Sequence, residues 1–142
     1  MSEYVLNFDG SCGPRNPGGK AAYGYVILKD GFPLHEGSGK LNGGPLYSNN
    51  YAEFYGLFKG LEYLKDIIEF SDKLFIRGDS QLTINVMRKR WRPKTDALYY
   101  EAYVLASQTL TRIRSQHIPV SLDWVPREYN RKADELSKYD RA

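Results

Sequence analysis

The sequence predicts an α/β domain, a mixed sheet with helices packed on it. Three observations carry this. The first forty residues hold three β-prone runs separated by turn signals. From residue 48 onward, stretches with helical apolar spacing alternate with short β-prone runs. The resulting order, βββαβααβα, implies a mixed sheet rather than separate helical and sheet regions.

The first predicted strand, residues 3–9, ends Leu6-Asn7-Phe8-Asp9, and Gly10, Ser11 and Cys12 lead into a Gly/Pro-rich loop over residues 13–19. Ala22 to Leu28 is the second strand. Asp30-Gly31 is a tight-turn signal, and Phe32 to Gly39 returns antiparallel, completing a three-strand meander. Leu41 to Tyr47 is a Gly/Pro-containing connection. Ser48-Asn49-Asn50 supplies helix-capping residues, and the helix they open reaches about Phe70. Leu57, Leu61, Leu64 and Ile68 fall at i, i+4, i+7 and i+11, one continuous apolar face. Extending that face back by four residues from Leu57 lands on Glu53, so a glutamate stands on the core side of the helix, one turn from its start.

Lys73 to Asp79 is a short strand that again ends in an aspartate. Residues 80–91 form a short helix with Leu82, Val86 and Met87 on its apolar side, and Pro93 breaks the chain. A longer helix runs from Asp96 to about Gln116. Pro119 to Val125 is the last strand, Pro126 to Tyr129 a loop, and Asn130 caps a closing helix that carries Asp134.

Composition bounds the function. The chain has 142 residues, which suits one domain over 1–142 with its own core. Its single cysteine, Cys12, excludes an internal disulfide and a multi-cysteine zinc site, and two histidines, His35 and His117, argue against a histidine-rich metal site. No targeting segment and no membrane-spanning run is read, so a soluble cytoplasmic protein is expected. The net charge is only +3, but residues 88–94 read Arg-Lys-Arg-Trp-Arg-Pro-Lys, the densest basic run, and suit a polyanion.

Four carboxylates need explaining. Singly, each has a structural reading: Asp9 as a turn residue before Gly10, Glu53 as part of a capping box with Asn50, Asp79 as a helix N-cap, and Asp134 as an acid near a helix start. Together they read differently. Asp9 and Asp79 both end strands, and in open sheets functional groups gather beyond the carboxyl ends of strands. Glu53 points inward at the sheet, and Asp134 follows the last strand. Carboxylates packed together repel unless cations neutralise them. Oxygen-only donors suit Mg²⁺ or Mn²⁺, and four such groups can hold two ions roughly 4 Å apart, an arrangement that supports in-line displacement at phosphorus.

Asp9-Gly10-Ser11, Asn49-Asn50 followed by Glu53, Asp79-Ser80-Gln81, and Asn130 followed by Ala133-Asp134 with Leu136 resemble ribonuclease H type 1 in order and interval across nearly the whole chain. The resemblance implies a ribonuclease H-like fold: a five-stranded mixed sheet, with the antiparallel meander plus two parallel strands and helices on both faces. It implies hydrolysis of the RNA strand of RNA–DNA hybrids with two Mg²⁺ ions, Mn²⁺ being a substitute. The catalytic set it implies is Asp9, Glu53, Asp79 and Asp134, with Asp9 between the two ions on the central strand and Gly10 among the metal contacts. Gly10, Ser11, Cys12, Asn16, Asn49, Asn50 and Gln81 would line the minor groove of the hybrid, where ribose 2′-hydroxyls distinguish RNA from DNA, and Ser48 would help hold a DNA phosphate.

The sequence departs from the family pattern twice. Many bacterial members carry a histidine between the last strand and last helix; Val125 to Asn130 has none, and Arg127, with Glu128 second, is its nearest substitute. Some relatives insert a basic, tryptophan-containing helix and loop, of which Arg88, Lys89, Arg90, Trp91, Arg92 and Lys94 would be a reduced version. A monomer is expected, with the hybrid as its partner, no membrane and no small-molecule cofactor. The alternatives are a nuclease of the same fold acting on another duplex and a non-catalytic hybrid-binding module.

Overall fold

The computed structural model describes residues 1–41 and 47–138. Most of the expected Leu41–Tyr47 connection, residues 42–46, lies outside the described residues. The central strand is β1 (Glu3–Gly13). It pairs antiparallel with β2 (Lys20–Lys29), which pairs antiparallel with β3 (Phe32–Leu41). On the other side β1 pairs in parallel with β4 (Lys73–Gly78), and β4 with β5 (Val120–Trp124). The strand order is β3-β2-β1-β4-β5, the mixed sheet that the sequence predicts.

Helix α1 (Asn49–Leu64) lies across one face of β1 and β2, and α3 (Tyr100–Arg114) packs on α1. Leu57, Leu61, Leu64 and Ile68 are buried, as their spacing predicts, and each such side chain contributes ~1.5–3 kcal/mol. Helix α2 (Gln81–Met87) follows β4. A short 3-10 turn (Arg127–Tyr129) and α4 (Arg131–Leu136) follow β5. A Cβ at Gly10 would overlap the backbone of Ala52 and Glu53 in α1. One at Gly24 would lie 2.6 Å from the Ala133 carbonyl in α4. Since Gly24 pairs with Asp9, the residue beside Gly10 in β1, α1 and α4 cover opposite faces.

Four boundaries differ from expectation by four residues or more. The first strand does not stop at Asp9: Gly10 to Gly13 stay paired with Tyr23 to Lys20, because β2 begins early enough to supply partners. Only the ladder to β4 ends there, at Phe8–Gly78. Helix α1 ends at Leu64 rather than near Phe70, where Ile67 N–H donates to the Leu64 carbonyl at 3.0 Å in a tightened turn. Helix α2 ends at Met87, and Lys89 adopts a left-handed φ of 63°. Helix α3 starts at Tyr100, preceded by a turn in which Ala97 N–H donates to the Lys94 carbonyl at 3.1 Å. His35, without a role in the sequence, stacks on Tyr63 with centroids 4.0 Å apart and meets the Tyr25 hydroxyl at 3.0 Å.

Candidate active site

The site lies where β1 and β4 part company. Asp9 and Asp79 are the residues immediately after the last rung of their shared ladder. Glu53 reaches the same point from the first turns of α1, brought close by the absence of a side chain at Gly10. Asp9 and Glu53 are each only 3% exposed. One carboxylate oxygen from each of Asp9, Glu53 and Asp79 falls within 4.8 Å of the others. Asp134, in α4, faces the Asp9 carboxyl but stands outside that tight set, and its Oδ2 lies 3.3 Å from Lys138 Nζ.

Few donors serve these acids. The Gly10 N–H donates to Asp9 Oδ1 at 2.9 Å. Among the described residues, Glu53 Oε2 and Asp79 Oδ2 are buried without a hydrogen-bond partner. The nearest cation to Asp79 Oδ2 is Arg127 Nε at 3.9 Å, on a side chain 74% exposed. Burial pushes the Asp9 carboxyl from its ordinary 3.8 up to about 7, with a hydrogen bond to Glu53 opposing and Asp134 and Asp79 adding to the rise. Burial and the neighbouring Asp9 push Glu53 well above its ordinary range. Burial also raises Asp79, against the Arg127 guanidinium, which pulls it down. Such a cluster binds protons or cations. Unpartnered buried carboxylate oxygens with no nitrogen or sulfur donor fit a hard divalent cation.

A family model described as RNase H matches residues 1–141. The chain belongs to the RNase H family. The N-terminal RNase H domain of Rv2228c from Mycobacterium tuberculosis superposes with a TM-score of 0.81 at 28% identity, covering 96% of this chain and 91% of that one. RNase H1 from the halophilic archaeon Halobacterium salinarum gives 0.79 at 30% identity over 99% of both chains. LC11-RNase H1, solved in complex with an RNA/DNA hybrid, gives 0.76 at 26% identity, covering 94% of this chain and 92% of that one. In sequence the chain is 31% identical over 137 residues to the bifunctional protein Rv2228c, and it spans only 34% of that protein's length. Family membership agrees with the sheet order and with the three clustered carboxylates.

The residues expected to meet nucleic acid fall into three groups. Gly10, Ser11 and Cys12 are strand residues of β1. The Ser11 hydroxyl donates to the Ser137 carbonyl at 2.6 Å and the Cys12 thiol to the Arg15 carbonyl at 3.1 Å, and their backbones pair with β2 on one edge while the edge that faced β4 has no strand partner past Phe8. Asn16, Ser48, Asn49 and Asn50 surround the start of α1. Ser48 is its N-cap, its Oγ accepting from Tyr51 N–H at 3.0 Å, and Asn16 Oδ1 accepts from Asn49 N–H at 2.9 Å. Gln81, exposed, opens α2. An open cavity of about 690 Å³ lies in front of the α1 start, and Asn16, Ser48, Asn50, Trp91, Arg92 and Lys94 are among the residues that line it.

The basic run is therefore split. Trp91, Arg92 and Lys94 line that cavity, whereas Arg88, Lys89 and Arg90 are exposed but not among its lining residues, and Lys89 instead adjoins Tyr103 and Arg114 of α3. Two residues beside the carboxylates were not singled out as site residues by sequence. Asn130 reads as a helix cap, but its side chain makes no cap hydrogen bond; its Nδ2 donates to the Phe8 carbonyl at 2.8 Å. Trp124 reads as a strand residue, yet its indole N–H donates to the Asp79 carbonyl at 3.1 Å. Tryptophan in a strand carries an ordinary local reading and gave no signal, whereas Asn130 stood in the motif with Ala133 and Asp134 but was assigned only a cap.

Proposed function

We propose that the chain is an endonuclease that hydrolyses the RNA strand of RNA–DNA hybrids, with Asp9, Glu53, Asp79 and Asp134 holding two Mg²⁺ ions, for which Mn²⁺ can substitute. The observation that carries this reading is the buried convergence of Asp9, Glu53 and Asp79, with Glu53 Oε2 and Asp79 Oδ2 unpartnered. Divalent ions bound there would lower the pKa of an attacking water and offset charge on the leaving oxygen. Asp9, central in the cluster, would contact both ions, with the backbone of Gly10 alongside. Asp134, on the more open side, would complete the set by turning from Lys138.

Arg127, exposed and 3.9 Å from Asp79, would bring positive charge to the phosphate in place of a loop histidine. The backbone of Gly10, Ser11 and Cys12 and the side chains of Asn16, Asn49, Asn50 and Gln81 would read the minor groove. Ser48, Trp91, Arg92 and Lys94 would take the DNA strand, with Arg88, Lys89 and Arg90 adding a more distant field. The hybrid complex of LC11-RNase H1, 26% identical, supports the substrate class. Among the described residues no helix is long and apolar enough to cross a membrane, and the free thiol of Cys12 suits a reducing cytoplasm. A monomeric domain over residues 1–142 completes the reading.

The test is cleavage of matched RNA–DNA, RNA–RNA and DNA–DNA duplexes by wild type and Asp9→Asn. Wild type should cut only the RNA of the hybrid, and Asp9→Asn should bind hybrid without cutting it. Substantial Mg²⁺-dependent cleavage by Asp9→Asn, or preference for another duplex, would refute the reading.

A further inference from the structure

Strands β1 and β4 are paired from Glu3–Lys73 to Phe8–Gly78, and there the ladder stops. Neighbouring strands in register lie about 4.8 Å apart with side chains standing parallel. Had the pairing continued, Asp9 and Asp79 would be side by side at that fixed spacing. Past that rung no ladder holds the two aspartates, yet their carboxylate oxygens and one of Glu53 lie within 4.8 Å of one another.

Two side chains, Trp124 at the end of β5 and Asn130 after the 3-10 turn, bond the two strands where the ladder stops. Asn130 Nδ2 donates to the Phe8 carbonyl at 2.8 Å, on the β1 side. Trp124 Nε1 donates to the Asp79 carbonyl at 3.1 Å, on the β4 side. Between them Val125 N–H donates to the Gly78 carbonyl at 2.9 Å. Neither side chain is explained by packing alone. Trp124 is 44% exposed, so its indole is not placed there to be buried. Asn130 is 2% exposed, yet its Oδ1 has no partner among the described residues. Its amide is fixed by the bond to β1 and by the Asp79 carboxyl it faces, while its Oδ1 stays unsatisfied.

We propose that Trp124 and Asn130 are positioning residues that fix β1 and β4 where their ladder stops, keeping the Asp9 and Asp79 carboxylates at the spacing a divalent cation requires. The proposal rests on the reading of the carboxylate cluster as a cation site. Groups that orient metal ligands without touching the metal commonly govern affinity by 10–100-fold. Trp124 bonds the β4 side alone, whereas Asn130 bonds Phe8 and also faces the Asp79 carboxyl, so each contact has its own variant. Trp124→Phe keeps an aromatic side chain while removing the indole N–H together with its five-membered ring. Asn130→Ala removes the donor to Phe8.

The experiment is calorimetric titration of the full chain with Mn²⁺, paired with thermal unfolding in EDTA and with kcat and KM on an RNA–DNA hybrid. Each variant should weaken Mn²⁺ binding by about tenfold, lower kcat at limiting Mn²⁺, and leave KM for the hybrid unchanged. The metal-free unfolding temperature of Trp124→Phe should be equal to or above that of wild type, because the held carboxylates repel one another. A purely structural role would instead lower that temperature and leave Mn²⁺ affinity of the folded protein untouched. Unchanged Mn²⁺ affinity in Trp124→Phe overturns the proposal, and this variant decides even where Asn130→Ala does not fold. If wild type binds no Mn²⁺, the cation-site reading falls and this proposal with it; if wild type binds and the variants match it, only the proposal falls.

Discussion

Without a divalent cation the protein should be more stable in mild acid than at alkaline pH. In the folded state burial raises the Asp9 carboxyl from 3.8 to about 7. In the unfolded chain it returns to the ordinary value. The folded state therefore holds a proton that the unfolded state releases. Stability from this group is fully present below pH ~4 and is lost as pH rises to about 7. A rise of about 3 pH units at ~1.4 kcal/mol each corresponds to ~4 kcal/mol. Glu53 and Asp79 are raised as well and add in the same direction. The three share one site and titrate together. The assay is urea unfolding in EDTA at pH 5 and pH 8, with and without Mg²⁺ in place of the chelator. Stability should fall by a few kcal/mol between pH 5 and pH 8 in EDTA, and Mg²⁺ should restore much of the loss at pH 8. Asp9→Asn should flatten the pH slope and unfold later than wild type at pH 8 in EDTA. A wild-type slope that is flat or rises over this range, or an Asp9→Asn variant with the wild-type slope, would refute the electrostatic reasoning.

Gly10→Ala should destabilise the fold by several kcal/mol, since the new methyl group would overlap the backbone of Ala52 and Glu53; thermal unfolding would show it, and a loss under 1 kcal/mol would mean that α1 shifts freely. Arg127→Ala should lower kcat roughly tenfold or more with little change in KM, and Arg127→Lys should recover only part, because the guanidinium stands beside Asp79 without a close contact. Replacing Arg92 and Lys94 by alanine should weaken hybrid binding and reduce the salt slope by about one unit per lost phosphate contact. The Arg88/Lys89/Arg90-to-Ala variant, whose side chains stand away from the cavity, should do so less; filter binding over a salt series distinguishes the two.

The elements of this fold are legible because their apolar spacing is local. Leu57, Leu61 and Leu64 announce a buried stripe, and Glu53 is visible as a polar residue on that stripe. The convergence of Asp9, Glu53 and Asp79 is legible because each sits at a junction of elements, where few structural tasks require a carboxylate. Helix limits are less so. Nothing between Leu64 and Phe70 or between Asp96 and Tyr100 breaks a helix, and the ends fall where Ile68 and Tyr99 pack into the core. The continuation of β1 to Gly13 depends on where β2 starts, which no residue of β1 encodes. The contacts of Asn130 and Trp124 were hidden for a related reason: each binds a main-chain carbonyl far away in sequence, and a carbonyl has no sequence identity to match.

The bond between Asn16 and the first turn of α1 has a consequence for where a bound strand would be cut. Asn16 Oδ1 accepts from Asn49 N–H at 2.9 Å, and Gly18 N–H donates to the Tyr47 carbonyl at 2.9 Å, so the loop after β1 and the start of α1 move as one piece. Glu53 is on the same helix, about 4.5 Å along the axis from Asn50 at 1.5 Å per residue. Groove wall and cluster are thus marks on a single rigid ruler. A ruler that grips sugars and phosphates measures length and does not read bases. Under the proposed function, every step of a regular hybrid would then present the same distance to the carboxylates, and cutting would follow helical geometry rather than sequence.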